Sequence, residues 1–276
     1  MPLTFAHPAP AVPLKKAGLM LSPLVVGSIM PDFEFFLTMS TSKVIGHSLL
    51  GIFLFCVPIG LITLFIFHKI LKYPLLSILP HSHQAKLLPV ARQFSFRGRG
   101  RLLNIVVSLM AGAATHIAMD SFTHHNGIFV QMMPFLSAPV FILQQGTIRV
   151  YFLLQYIFSI SGTAAVIYWY WSWYKGSPSL LSRIPQHPLL FCSKHKARIG
   201  LSISTFSLGG GLSFGLMTAP GIRTVEATKV FLTNSVIATG TSLLFALITF
   251  GVLWHRFVPK HRKEHFTKGL LKGQVE

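Results

Sequence analysis

Long, nearly uninterrupted apolar runs set the pattern of this chain. Five of them are long enough to cross roughly 30 Å of hydrocarbon as helices: residues 47–70, 102–121, 150–174, 199–219 and 230–254. The third ends in Tyr168, Trp169, Tyr170, Trp171, Trp173 and Tyr174, an aromatic belt suited to headgroup level. Gly209, Gly210 and Gly211 in the fourth would weaken a helix in water, but in lipid they let a neighbouring helix approach closely. A sixth apolar stretch, residues 17–30, is shorter, is cut by Pro23 and stops at Pro31. Its length predicts a half-helix or re-entrant segment rather than a crossing. The expected fold is therefore all-α: a polytopic helical membrane protein with about five transmembrane helices and an N-terminal half-helix.

Composition agrees. Of 276 residues, 51% are hydrophobic and only 11% charged, too few to coat a soluble core of this size. Lipid removes the need for that coat. The formal charge of +18 raises the question of nucleic acid, but the basic residues sit in short blocks between the apolar runs, as topology signals do. No nucleic-acid partner is expected. Two cysteines, Cys56 and Cys192, are too few for a disulfide framework, and no cleavable signal peptide is legible at the N-terminus. Residues 69–101 carry seven Lys and Arg, 175–198 five, and the tail from 255 six, whereas 122–149 and 220–229 carry one and two. That alternation predicts a multi-pass protein of the inner (plasma) membrane with a cytoplasmic C-terminus.

With six acidic residues in the whole chain, each is informative. Asp32 and Glu34 lie in PDFEFF; Asp120 lies in ATHIAMDSFTHH; Glu226, Glu264 and Glu276 read as ordinary solvated charges. His116, Asp120 and His124 are spaced i, i+4, i+8, within about 80° of one another on a helix. Ligands four apart on one helix face can hold a single metal ion, and mixed carboxylate and imidazole donors suit zinc, manganese or iron. By the charge rule His116 to His124 and His47 share the outer face, Asp32 is 15 residues before His47, and a re-entrant 17–30 would put His7 outside as well. Plainer readings exist. An interfacial histidine such as His124 or His125 commonly serves as a polar anchor, and Asp120 could pair with hydroxyls of a neighbouring helix. An intramembrane carboxylate nevertheless costs about 2.5–3.5 kcal/mol on insertion scales and tends to have a functional partner. His68, His81, His83, His187, His195, His255, His261 and His265 fall in the basic parts and read as surface histidines.

The motifs MPLTFAHPAPAVPLKK, LVVGSIMPDFEFFL, GHSLLGIFLFCVPIGL and THIAMDSFTHHNG, with LLQY following, resemble the bacterial membrane family known as domain of unknown function 4184. The resemblance spans residues 1–240, which it implies form a membrane domain; 241–276 complete the last helix and a basic cytoplasmic tail. More distantly, the order His, Pro-Asp, His, His-x-x-x-Asp is similar to YdjM-type inner-membrane proteins classed as metal-dependent hydrolases, and to the soluble zinc-dependent phospholipase C and nuclease group. That similarity implies His7, Asp32, His47, His116 and Asp120 as metal ligands, with His124 a further ligand or acid. The soluble enzymes have more ligands and an N-terminal tryptophan, so one or two divalent ions, zinc foremost, are expected rather than three. The expected function is a membrane-embedded metal-dependent hydrolase acting on a lipid or phosphoester, with Glu34, or Asp32 where it is not a ligand, as general base and His124 as acid. The alternatives are a non-catalytic scaffold with a structural metal and an ion transporter; no internal repeat supports the last.

Overall fold

The computed structural model describes residues 4–40, 45–143, 146–178, 190–219 and 224–268; His187 and Glu276 lie outside the described residues. Among the described residues six helices, not five, are long and apolar enough to cross a membrane. They are α1 (Leu21–Thr38), α2 (Leu49–Ile78), α3 (Arg99–Thr123), α4 (Val150–Gly176), α5 (Ser193–Thr218) and α6 (Val225–Phe257). The correction concerns the first. The helix does not stop at Pro31 but runs through it to Thr38, for 18 residues. Proline removes one backbone hydrogen bond, and in lipid that loss is tolerated where a neighbouring helix packs against the break. Here the break is buried: Pro31 is enclosed, and Gly27, whose carbonyl loses its partner, packs against the Leu109 backbone of α3.

The chain divides into two compact units. The first comprises Met1–Glu34, Lys43–Leu64 and Phe96–Gly176. Its centre is a close parallel pairing of α1 with α3, legible in matched contacts along both. The Asn104 side chain donates to the Gly18 carbonyl (2.9 Å), and the Met20 N–H to Ser108 Oγ (2.9 Å). A Cβ on Gly112 would collide with the Leu24 carbonyl, and one on Gly27 with the Leu109 carbonyl. Small residues thus bring two backbones together where larger ones could not. Helix α2 runs the other way beside them: His47, just before it, faces Asp120, while Gly60, further along, meets Leu109. Two π-helical turns, Ile52–Cys56 and Phe67–Leu71, widen α2. The N-terminal turns Thr4–Ala6 and Pro8–Ala11 pack into this unit, with Ala6 against Gly162 of α4, and the turn Val12–Ala17 that follows has no buried residue. Between α3 and α4 a two-stranded antiparallel hairpin, Pro139–Leu143 with Gly146–Arg149, interrupts the all-helical pattern; it has no apolar run of crossing length and was not expected.

The second unit comprises Phe35–Ser42, Phe65–Ser95 and Ser177–Glu276. Here α5 and α6 form an antiparallel pair. Gly210 lies against Ser242, Gly211 against Thr239, and the Asn234 amide donates to Thr218 Oγ1 (2.9 Å). Two of the three consecutive glycines therefore serve the close approach expected of them; Gly209 has open space beside it. His68, expected at the surface, is instead buried, its ring stacked on Phe94 at 3.6 Å between centroids. His195, His255 and His261 are exposed, as expected.

Candidate metal centre

All of the expected ligands fall in the first unit and come together. Helix α1 supplies Asp32 one position after Pro31, and α3 supplies His116 and, one turn on, Asp120. His47 ends a short turn, Ile45–His47, that leads into α2, and His7 follows the turn Thr4–Ala6. One ligand atom from each of Asp32, His47, His116 and Asp120 lies within 4.8 Å of all the others. His47 Nε2 is 3.3 Å from Asp32 Oδ1 and 3.5 Å from Asp120 Oδ2; His116 Nε2 is 3.6 and 3.3 Å from the same two atoms. His7 Nε2 stands 3.3 Å from Asp120 Oδ1, and His124 Nδ1 3.4 Å from that same oxygen.

These separations have a physical meaning. An ordinary N–H···O bond spans about 2.7–3.2 Å. Two ligands on one tetrahedral zinc, each about 2.0–2.2 Å from the ion, stand about 3.3–3.6 Å apart. The separations in the cluster, 3.3–3.6 Å, match the second spacing, and the shortest of them, such as His7 to Asp120, also lie within reach of a long hydrogen bond.

The ring protons point the same way. His116 is wholly buried, and its Nδ1 lies 2.8 Å from the Ser28 carbonyl, which can only accept. The proton is therefore on Nδ1, and the lone pair of Nε2 faces the carboxylates with no hydrogen-bond partner of its own. His7 differs: its Nδ1 lies 3.3 Å from the Thr4 carbonyl, and its Nε2, 3.3 Å from Asp120 Oδ1, is within hydrogen-bonding reach of that carboxylate. A lone pair facing a carboxylate needs a cation between them, either a second proton or a metal ion. A backbone carbonyl orienting the far ring nitrogen is the usual support behind a metal-bound histidine. Asp32 is steadied by the Thr4 hydroxyl, which donates to Oδ2 at 2.6 Å. The two carboxylates carry two negative charges, so one divalent ion would balance them. The donor set fits such an ion.

Glu34, expected as a general base, also braces the backbone. Its carboxylate accepts the N–H groups of Ile45 (3.4 Å) and Gly46 (2.9 Å), holding the turn that presents His47. At His47 burial pulls the ring's pKa down, but its contacts with Asp120 and Asp32 and the charges of both outweigh it, raising it from 6.5 to about 9. Thr4, Ser28 and Gln155, whose amide lies 3.3 Å from His124 Nε2, also serve the cluster; all three fall within the motifs that carry the resemblance, but none was expected as a site residue. Ser28 contributes only its backbone carbonyl, which no sequence pattern marks.

A family model described as "Domain of unknown function (DUF4184)" matches residues 1–252. The chain belongs to the DUF4184 family. The DUF4184 match takes in every residue of the cluster, from Thr4 to Gln155, and reaches further into α6 than the motifs alone indicated. No curated protein and no solved structure matches the chain.

Proposed function

We propose that this DUF4184 protein is a membrane-embedded, metal-dependent hydrolase whose His/Asp centre opens at the extracytoplasmic face and acts on a lipid or another phosphoester, with zinc as its resident ion. The observation that carries the metal is His116: Nδ1 tied to a backbone carbonyl, and a buried Nε2 at ligand spacing from two carboxylates. A bound zinc would polarise a phosphoryl or acyl oxygen and activate water at neutral pH. Asp32, His47, His116 and Asp120 would hold it, while the Ser28 and Thr4 carbonyls orient His116 and His7.

Two features favour catalysis over a purely structural ion. A structural site is closed, yet the side chains of His47 and His124 are 27% and 39% exposed. In addition, Phe5, Ile45, Leu49 and Leu50, close in sequence to His7 and His47, are all exposed apolar side chains suited to acyl chains. The runner-up is a structural ion pinning α1 to α3, favoured by the complete burial of His116.

Purified protein loaded with zinc and offered a panel of carboxylic and phosphoric esters, phospholipids included, should hydrolyse at least one of them. A chelator should stop the reaction and zinc restore it. If nothing on the panel is turned over, the structural reading takes its place.

Orientation rests on charge. Lys15 and Lys16 precede α1; with α1 as a full crossing they join the seven, five and six basic residues of 69–101, 175–198 and the tail from 255. Twenty of the 24 Lys and Arg then fall on one side, which the positive-inside rule makes the cytoplasm of a plasma membrane. Reporter fusions after Arg97 and after Gly127 should read cytoplasmic and extracytoplasmic respectively. The same side for both would contradict the topology.

A further inference from the structure

The Asp120 carboxylate divides the cluster in two. Its Oδ2 faces His47 and His116, which also face Asp32 Oδ1; its Oδ1 faces a different pair, His7 and His124. Each oxygen thus has its own imidazoles, and no histidine is shared between the two.

The rings of His7 and His116 add a second, independent sign. They stack nearly parallel, 16° apart in plane with centroids 3.8 Å apart, and each presents Nε2 to a different oxygen of the one carboxylate. Parallel imidazoles direct their lone pairs side by side, so the two cannot converge on one ion along their lone-pair axes. They can each hold one of two neighbouring ions. The ring separation matches the spacing of paired metal ions, about 3.5–4 Å.

We infer that the centre holds two divalent ions bridged by Asp120: one bound by Asp32, His47, His116 and Asp120 Oδ2, the second by His7, His124 and Asp120 Oδ1. This rests on the reading of the cluster as a metal centre, and gives His124 the role of ligand rather than acid. The two positions differ in kind. The first has four protein ligands, two of them buried; the second has three and includes the most exposed side chain of the cluster, which leaves it a position for water or substrate. Two divalent ions against two carboxylates leave the centre with two positive charges in excess. That favours an anionic reacting group, a phosphate ester ahead of a neutral carboxylic ester.

The competing use of His124 is local: the Thr123 hydroxyl is 3.2 Å from the same Nδ1, and the Gln155 amide nitrogen, a donor, is 3.3 Å from Nε2, an arrangement that puts the ring's proton on Nδ1. If those contacts are what the ring serves, the second ion has no third ligand.

Zinc content decides between these. Full-length protein in detergent, equilibrated with zinc and desalted, should retain about two ions per chain, and X-ray absorption should show zinc–zinc scattering at about 3.5–4 Å. His124→Ala and His7→Ala should each retain about one and lose that scattering. His124 is partly exposed at the end of α3, so its removal leaves the packing of α1 on α3 intact even if His7→Ala fails to fold. About one zinc in the wild type, or a count that His124→Ala leaves unchanged, would overturn the two-ion assignment while leaving a one-metal hydrolase standing. No zinc in any form of the protein would overturn the metal centre itself.

Discussion

Asp120→Asn should empty the centre of metal while the protein still inserts. No other side chain in the cluster touches as many partners: four imidazoles, of His7, His47, His116 and His124, lie 3.3–3.5 Å from its two oxygens. The amide keeps the shape but replaces one oxygen with an NH2 group that cannot ligate, and it removes one of the two negative charges. Loss of a hydrogen bond behind a ligand costs about 10- to 100-fold in metal affinity, and loss of a bridging ligand should cost at least the upper figure. Zinc content after desalting should fall close to nothing, and any zinc-dependent hydrolysis should go with it. If the ion is structural instead, the variant should show a lowered unfolding temperature in detergent against a wild type that hydrolyses nothing. Retention of wild-type zinc by Asp120→Asn would mean that Asp120 is not a ligand.

Gly112→Val should separate α1 from α3. The added Cβ meets the Leu24 carbonyl and comes within 2.8 Å of the Ser28 backbone N, and neither can swing aside as a side-chain tip would. Overpacking a core costs about 1–3 kcal/mol where side chains can adjust, so a collision with backbone belongs at or above the upper end. Any retreat of α1 also withdraws the Ser28 carbonyl from His116 and Asp32 from Asp120, so the unfolding temperature and zinc content should fall together. Gly209→Ala, with open space around the glycine, is the control and should change neither. Wild-type stability and zinc content in Gly112→Val would show that the helices do not pack this closely.

The crossings from α2 onward could be read from apolar length alone, because in lipid a helix must satisfy its own backbone and so announces itself as a continuous run. Helix α1 misled for a related reason. Proline stops helices in water, and whether it stops one in a membrane depends on what packs against it, here the Leu109 backbone opposite Gly27. The ligands themselves were legible because acidic residues are scarce and His116, Asp120 and His124 share one helix face. The division of the cluster was not legible: which Asp120 oxygen a histidine faces depends on ring stacking and on the Thr4 and Ser28 carbonyls, which are tertiary facts. The bracing contacts of Glu34 were not legible because the N–H groups it accepts, at Ile45 and Gly46, come from a turn that only the fold brings to it. His68 was counted with the basic surface because nothing local marks Phe94 as its stacking partner.

The π-helical turns of α2 bear on how its sequence keeps time. Its buried positions include Ile52, Cys56, Gly60, Leu64 and His68, a repeat of four. An α-helix turns 100° per residue, so each step of four drifts about 40°, and four steps would carry the stripe about 160° round the helix. A π turn takes more residues to complete the circle and lets the drift be given back. One such turn opens this run of five and the other receives its last member. The helix behaves as a vernier, with two slack graduations that reset the scale. A one-residue deletion inside Ile52–Cys56 could therefore be absorbed where it occurs, by the wide turn tightening to an ordinary one, instead of rotating His47 out of phase with the rest of α2.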